Sequence, residues 1–344
     1  MVKIKSVLII GVVLLISLTS AYNMDMDRTI NISELSLDEK IGQLIFVKPE
    51  GMKKEYIQEL HVGGIFLNDL KSKDNFSNRI NFYQEKSKIK LFVATDMEGY
   101  WNPFSKFYFS KNFGEIGSRE EAFNLGSEHG MILQELGFNL DFSPIVEVRN
   151  TVWKGRSFTG TDEEVREKIS GYIQGLKKEE ILSTAKHYPG GSMVKNPHIK
   201  KYKTEIFQED LDYFNQAIFQ NTDFVMMGHP IVYGAIDSKG KQATVSKEVI
   251  QTLRDNFSGI IITDAVTMWG LRVSYFWNFK KVYPDLIIAG NDMILDTHLN
   301  SEYKKLVKRR DKLKDAVQKG KISQERIDAS VKRILEMKGY KVTN

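Results

Sequence analysis

Eight short apolar runs, each followed by a longer amphipathic stretch, set the strongest limit on what this chain can fold into. They are Gly42–Val47, Val62–Leu67, Leu91–Thr95, Phe138–Phe142, Ile181–Ala185, Phe224–Met227, Gly259–Thr263 and Leu286–Ala289. Strands buried on both faces read as continuous apolar runs, because helices cover each side of a parallel sheet. Their alternation with helical patterns indicates α/β architecture. Eight such units predict one closed (β/α)8 TIM barrel over residues 36–344, with an open doubly wound sheet as the alternative. A chain of 344 residues with 42% hydrophobic content can bury a core of that size.

Helix starts are marked by capping-box spacings. Ser118 precedes Glu121 by three residues, and Thr161 precedes Glu164 likewise. The segment from Ile322 to Lys338 places Ile327, Val331, Ile334 and Leu335 on one face, suited to sealing an outer ring of helices.

At the N-terminus, Lys3 and Lys5 precede an apolar run, Val7–Leu18, and then Thr19, Ser20 and Ala21. This layout reads as a secretory signal over residues 1–21 or as an N-terminal membrane anchor, with a linker over 22–35. The chain is expected to be secreted or extracytoplasmic, tethered to the membrane if the segment is retained, and a monomer. There is no cysteine, which excludes disulfides and thiolate chemistry. The net charge of +5 is spread along the chain, so nucleic acid is not an indicated partner. The densest basic stretch, Lys304 to Lys314, reads as a solvated helix face. The histidines at 61, 129, 187, 198, 229 and 298 lack zinc-site spacing, and neither a metal nor a cofactor is called for.

In a barrel, polar residues directly after a strand point into the mouth. Here they are Asp96 and Glu98 after the third run, Asp141 after the fourth, and Lys186 and His187 after the fifth. His229 follows the sixth, Asp264 the seventh, and Asn291 and Asp292 the eighth. Such enrichment at one end predicts a polar cleft.

Ten pieces of the chain, in order, resemble family 3 glycoside hydrolases, in particular their single-domain β-N-acetylhexosaminidase branch. The first five are Ile41-Gly-Gln-Leu44, Gly63-Gly-Ile65, Thr95-Asp-Met-Glu-Gly99, Gly137-Phe-Asn-Leu-Asp-Phe-Ser-Pro144 and Gly155-Arg-Ser-Phe158. Lys186-His-Tyr-Pro-Gly190, Met226-Met-Gly-His229, Ile262-Thr-Asp-Ala-Val-Thr-Met268, Ala289-Gly-Asn-Asp-Met293 and Ile327-Asp-Ala-Ser-Val-Lys-Arg-Ile334 follow. The resemblance implies a retaining glycosidase acting on a carbohydrate, with terminal β-linked N-acetylhexosamine as the sugar removed. It implies Asp264 as the nucleophile, His198 as the acid/base on the loop after strand five, and Asn196 at the position of that histidine's partner. Asp96, Arg156, Lys186 and His187 match sugar-contacting positions, while Asp141 and His229 read as a supporting polar shell and Asn291 and Asp292 as structural.

The chemistry agrees with these residue types. Retaining cleavage needs a carboxylate beneath the anomeric carbon and a second group that protonates the leaving oxygen. Histidine titrates in the range that suits the second task.

Two departures stand out. Asn196 replaces the family's aspartate, and an amide orients an imidazole without stabilising its cation. After Glu98 the chain reads Gly99-Tyr-Trp-Asn-Pro-Phe104, with Phe104 near the place of a sugar-holding arginine. These departures support the competing reading, a sugar-binding barrel without turnover.

Overall fold

The structure is a computed structural model that describes residues 28–49, 54–149, 152, 153, 155–191, 196, 201–297 and 303–344. Eight short parallel strands form the barrel: β1 (Ile45–Val47), β2 (Gly64–Phe66), β3 (Phe92–Thr95), β4 (Leu140–Asp141), β5 (Thr184–Tyr188), β6 (Phe224–Met227), β7 (Ile260–Thr263) and β8 (Ile294–Asp296). Regular pairing runs β8–β1–β2–β3–β4 and β5–β6–β7. Single bridges close the two seams, Leu140 to Leu182 between β4 and β5 and Ile262 to Met293 between β7 and β8. The Asp141 N–H donates to the Leu182 carbonyl at 2.8 Å and the Thr263 N–H to that of Met293 at 3.1 Å, so the ring of strands is continuous.

The interior is packed with side chains. Phe142 meets Phe46 and Phe66 at 5.4 and 5.8 Å between ring centroids, and Phe92 reaches Phe224 across the barrel at 5.1 Å. Buried aromatic pairs at these separations add to the free energy of area burial. Outside, the helices Arg119–Leu136 and Asp162–Lys178 approach so closely that a Cβ on Gly126 would lie 2.3 Å from the Tyr172 carbonyl oxygen. That contact seats Tyr172 against the barrel.

The expected caps form: Ser118 Oγ accepts from the Glu121 N–H, and Thr161 and Glu164 make a reciprocal capping box. The last long helix spans Gln324–Met337 and buries Ile327, Val331, Ile334 and Leu335 completely. Among the described residues, no helix is long and apolar enough to cross a membrane.

The structure corrects four expectations. Leu286–Ala289 is not the eighth strand but the end of a helix, Val282–Ala289, with Pro284 in its first turn and Gly290 (φ 122°) ending it. A four-residue apolar run does not by itself distinguish a buried helix turn from a strand, and the flanking Pro and Gly were the telling signals. The first run is likewise split, because Gly42 and Gln43 end the helix Leu37–Gln43. From residue 29 the expected linker is part of the fold: Thr29–Asn31 pairs in parallel with Lys341–Thr343, and Ile32 and Leu35 are buried. The basic stretch lies on the helix Tyr303–Gln318, yet its Arg309 is buried and pairs with Asp296 at 2.7 Å.

Candidate active site

The C-terminal ends of the strands open into a cavity of about 450 Å³ lined by Asp96, Arg156, Lys186, His187 and Asp264, with Trp101, Trp153, Phe142, Met226 and Met268 among its apolar walls. Asp264 follows β7 directly. Its N–H donates to the Met227 carbonyl at 2.9 Å, and its Oδ1 accepts from the Ala265 N–H at 2.6 Å. These bonds fix the carboxylate, which keeps 16% side-chain exposure toward the cavity. His229 is buried behind it, with Nε2 3.1 Å from the Ala265 carbonyl oxygen and Nδ1 2.5 Å from Thr244 Oγ1. It braces the turn that carries Asp264.

Adjacent residues of a regular strand face opposite ways, yet Lys186 and His187 both enter the mouth. The register of β5 against β6 shifts between Lys186 and Tyr188, and an irregularity of this kind re-aims side chains. His187 Nε2 lies 3.8 Å from Asp264 Oδ2, and its Nδ1 lies 3.1 Å from Oε1 of the buried Glu147. Glu147 thus holds the ring while the second nitrogen faces the cavity carboxylate. The role of Glu147 escaped the sequence reading because Ile145 and Val146 separate it from the polar end of β4.

Lys186 Nζ sits 2.5 Å from both Asp96 Oδ1 and Glu98 Oε1. Arg156 grips Glu98 with a fork, Nε to Oε2 at 2.7 Å and Nη2 to Oε1 at 2.9 Å. Complete burial pushes the Glu98 carboxyl up, but the Arg156 and Lys186 charges outweigh it and hold its pKa at about 2. Burial lowers the Lys186 pKa, and Asp96 and then Glu98 more than restore it, leaving it raised. Glu98 and Lys186 therefore stay ionised, and Asp96, with 36% side-chain exposure, is the most open member of the network. Of the substrate-contact candidates, Arg156 spends much of its fork on Glu98 while still lining the cavity.

A second polar layer lies beneath. Asp141 is buried and accepts from the Met97 N–H at 2.9 Å and the Tyr172 hydroxyl at 3.1 Å, which ties down the segment carrying Asp96 and Glu98. Burial pushes its pKa well up against those bonds. His129 Nδ1 lies 2.7 Å from the Tyr172 hydroxyl and its Nε2 2.6 Å from Ser110 Oγ. Burial, opposed by the Met97 backbone, drives the His129 pKa down to about 3. The unfolded chain binds that proton near 6.5, so stability should fall as pH drops from about 6.5 toward 3 and level off below. Denaturant unfolding across this window should show a slope steeper in the wild type than in His129→Gln by up to about 1.4 kcal/mol per pH unit. Equal slopes would mean that His129 charges inside the fold.

Phe104 does not reach the cavity. It is fully buried against Phe76, Phe107 and Phe138 at 5.0 to 5.7 Å, and Trp101 from the same segment lines the cavity. The reason is composition: a phenylalanine beside three others gains more by joining the core than by standing in water. Asn291 and Asp292 precede β8 and so lie at the opposite end of the barrel from Asp264. Asp292 is buried there among Arg254, Arg333 and Ser330, a structural cluster. Asn196 is half-buried, and His198 lies outside the described residues. Among the described residues, no group of three or more His, Asp or Glu is placed to hold a metal ion.

Residues 36–337 match the glycosyl hydrolase family 3 N terminal domain. The chain belongs to glycosyl hydrolase family 3. Among the relatives of this family 3 chain is a β-N-acetylglucosaminidase/β-glucosidase of Cellulomonas fimi, 26% identical over 94% of the chain and 62% of that protein. A β-hexosaminidase of Haemophilus influenzae (strain ATCC 51907 / DSM 11121 / KW20 / Rd) is 26% identical over 73% of the chain and 78% of its own length. A solved family 3 β-N-acetylglucosaminidase from Paenibacillus sp. str. FPU-7 superposes with a TM-score of 0.77 at 27% identity, covering 88% of the chain and 62% of that structure. The structure of M tuberculosis LpqI superposes with a TM-score of 0.79 at 22% identity over 89% of the chain and 94% of its own, a likeness of fold. The chain spans 62% of the length of the Cellulomonas fimi protein and 48% of that of a β-hexosaminidase A of Pseudoalteromonas piscicida, which is 28% identical over 74% of the chain.

Proposed function

We propose that this family 3 chain is a retaining glycosidase that removes terminal β-linked N-acetylhexosamine, N-acetylglucosamine in first place, from glycans or cell-wall fragments. The observation that carries this reading is the fixed, partly open carboxylate of Asp264 beside Asp96, Arg156, Lys186 and His187 in one cavity. The relatives named for N-acetylglucosaminidase or hexosaminidase activity point to the same sugar.

In this mechanism the terminal sugar stands in the cavity with its hydroxyls on Asp96 and Lys186 and an apolar face against Trp101 or Trp153. Asp264 attacks the anomeric carbon as the glycosidic C–O bond breaks, and His198 gives its proton to the departing oxygen. His198 then takes a proton from water, whose oxygen displaces Asp264 and releases the sugar with retained configuration. Asn196 orients the His198 ring. Glu147 and His187 keep a polar, directional contact on the Asp264 side of the cavity.

The acid/base assignment has its own signature. A good leaving group departs without protonation, whereas a poor one needs it. With His198→Ala, turnover of an aryl substrate whose phenol is strongly acidic should fall by about tenfold or less, and that of a natural disaccharide by about 10²–10⁴-fold. Equal slowing of both would remove His198 from that role. Binding of N-acetylglucosamine without cleavage of aryl or natural glycosides would favour the sugar-binding barrel instead, the reading that Asn196 supports.

A further inference from the structure

The stretch from Ala265 to Pro284, which follows Asp264, contains no Asp or Glu, yet it holds Arg272, Lys280 and Lys281 together with Trp269, Tyr275, Phe276, Trp277, Phe279 and Tyr283. It forms the short helix Trp269–Arg272 and two 3₁₀ turns, Val273–Tyr275 and Phe279–Lys281. Its root is pinned. Gln242 Nε2 donates to the Gly270 carbonyl at 3.0 Å and lies 2.5 Å from Ser274 Oγ, and the Tyr275 hydroxyl reaches Asp285 at 3.0 Å. The Arg272 and Arg309 guanidinium groups lie over Phe279 at 5.7 and 5.4 Å.

The apex is bare. Phe276 is 65% exposed and Trp277 is 94% exposed. A firmly rooted loop that holds two large aromatic side chains in water marks a surface for something else.

Three observations choose the occupant. The rings of Phe276 and Trp277 meet at 89° with centroids 5.2 Å apart, a wedge with no shared flat face for stacking along a glycan. Arg272, Lys280 and Lys281 are exposed around it with no acid in the segment, which calls for an anionic surface. Indole and phenyl groups beside cations are the residue types that settle at a bilayer interface, the rings among the upper acyl chains and the cations on headgroup phosphates. The N-terminal Lys3, Lys5 and Val7–Leu18 read as an export or anchor segment, which brings the chain to a membrane. We propose that this loop docks on an anionic lipid bilayer by inserting Phe276 and Trp277 while Arg272, Lys280 and Lys281 hold the headgroups. Because the loop begins at Asp264, docking sets the barrel mouth toward the membrane and the glycans nearest to it. The proposal does not depend on what Asp264 does chemically.

The test uses the full chain and vesicles of phosphatidylglycerol and phosphatidylcholine with brominated acyl chains, beside vesicles of brominated phosphatidylcholine alone. The N-terminal segment contains no tryptophan, so quenching reports on the barrel. Tryptophan emission should be quenched on the anionic vesicles, and the quenching should fall by more than half in Trp277→Ala. In Lys280→Glu/Lys281→Glu, with Trp277 present, apparent vesicle affinity should drop about tenfold or more. Thermal unfolding of both variants should match the wild type, since these side chains are exposed. Absence of quenching on anionic vesicles, or equal quenching in Trp277→Ala, overturns the proposal. So does loss of binding to an insoluble β-linked N-acetylglucosamine polymer in Trp277→Ala without a vesicle effect. A dimer dispersed by Phe276→Ser/Trp277→Ser overturns it in favour of a second copy.

Discussion

Asp264→Asn should reduce turnover of an aryl β-N-acetylglucosaminide by about 10⁴-fold or more while the protein stays folded, because it removes the charge that the proposed mechanism uses as nucleophile and keeps the shape. The amide oxygen can still accept the Ala265 N–H that now bonds Oδ1 at 2.6 Å, so thermal unfolding should move little. A further variant separates loss of a nucleophile from general damage. In Asp264→Gly the vacated space admits azide, and a small anion attacking from the carboxylate's side should restore turnover and leave the azide on the α face. Undiminished activity in Asp264→Asn would place the nucleophile elsewhere in the cavity. A wild type that binds N-acetylglucosamine and cleaves nothing would make the chain a sugar-binding barrel.

The second large effect concerns stability. Glu98 is the only carboxylate held by both Lys186 and Arg156 among the ion pairs seen at the described residues, and all three side chains are at least 90% buried. Glu98→Gln strands the buried Arg156 and leaves Lys186 with Asp96 alone, and breaking such a buried pair costs about 3–5 kcal/mol. For a domain of this size, that corresponds to a fall in Tm on the order of 10 °C. Replacing Arg156 by Met in the same chain removes the stranded cation and should recover part of the loss, since a buried thioether side chain, unlike a guanidinium, needs no charged partner. If Glu98→Gln unfolds within 2 °C of the wild type, water reaches the network and the burial argument fails.

The same group predicts an acid response. The folded-state pKa of Glu98 is held at about 2 against an ordinary 4.5, so its contribution is fully present above about 4.5. It is lost as pH falls through about 2, because the unfolded chain takes up the proton first. In Glu98→Gln, stability should depend less steeply on pH across that window.

Much of the fold was legible because strand and helix periods are local. The runs at β2 through β7 fall on observed strands, and the caps at Ser118 and Thr161 stand where the three-residue spacing put them. The error at β8 shows the limit. Leu286–Ala289 and Ile294–Asp296 are both short and mostly apolar, and apolarity alone does not say which completes the ring; Pro284 and Gly290 around the first were the local sign that it ends a helix. The linker expectation failed for a different reason: Thr29–Asn31 becomes a strand only because Lys341–Thr343, more than 300 residues away, offers it an edge.

At the site, residue types and strand-end positions were enough to mark Asp96, Glu98, Lys186, His187 and Asp264, since a barrel sends whatever follows a strand to one rim. The sequence by itself determined that these five would gather there, because order along the chain is order around the cylinder. Only the tertiary structure decided how those groups divide their charges. Arg156 is committed to Glu98, Glu147 takes one side of His187, and Phe104 joins the core while Trp101 faces the cavity. Such pairings depend on distances between side chains far apart along the backbone, on which no local pattern of residues carries information.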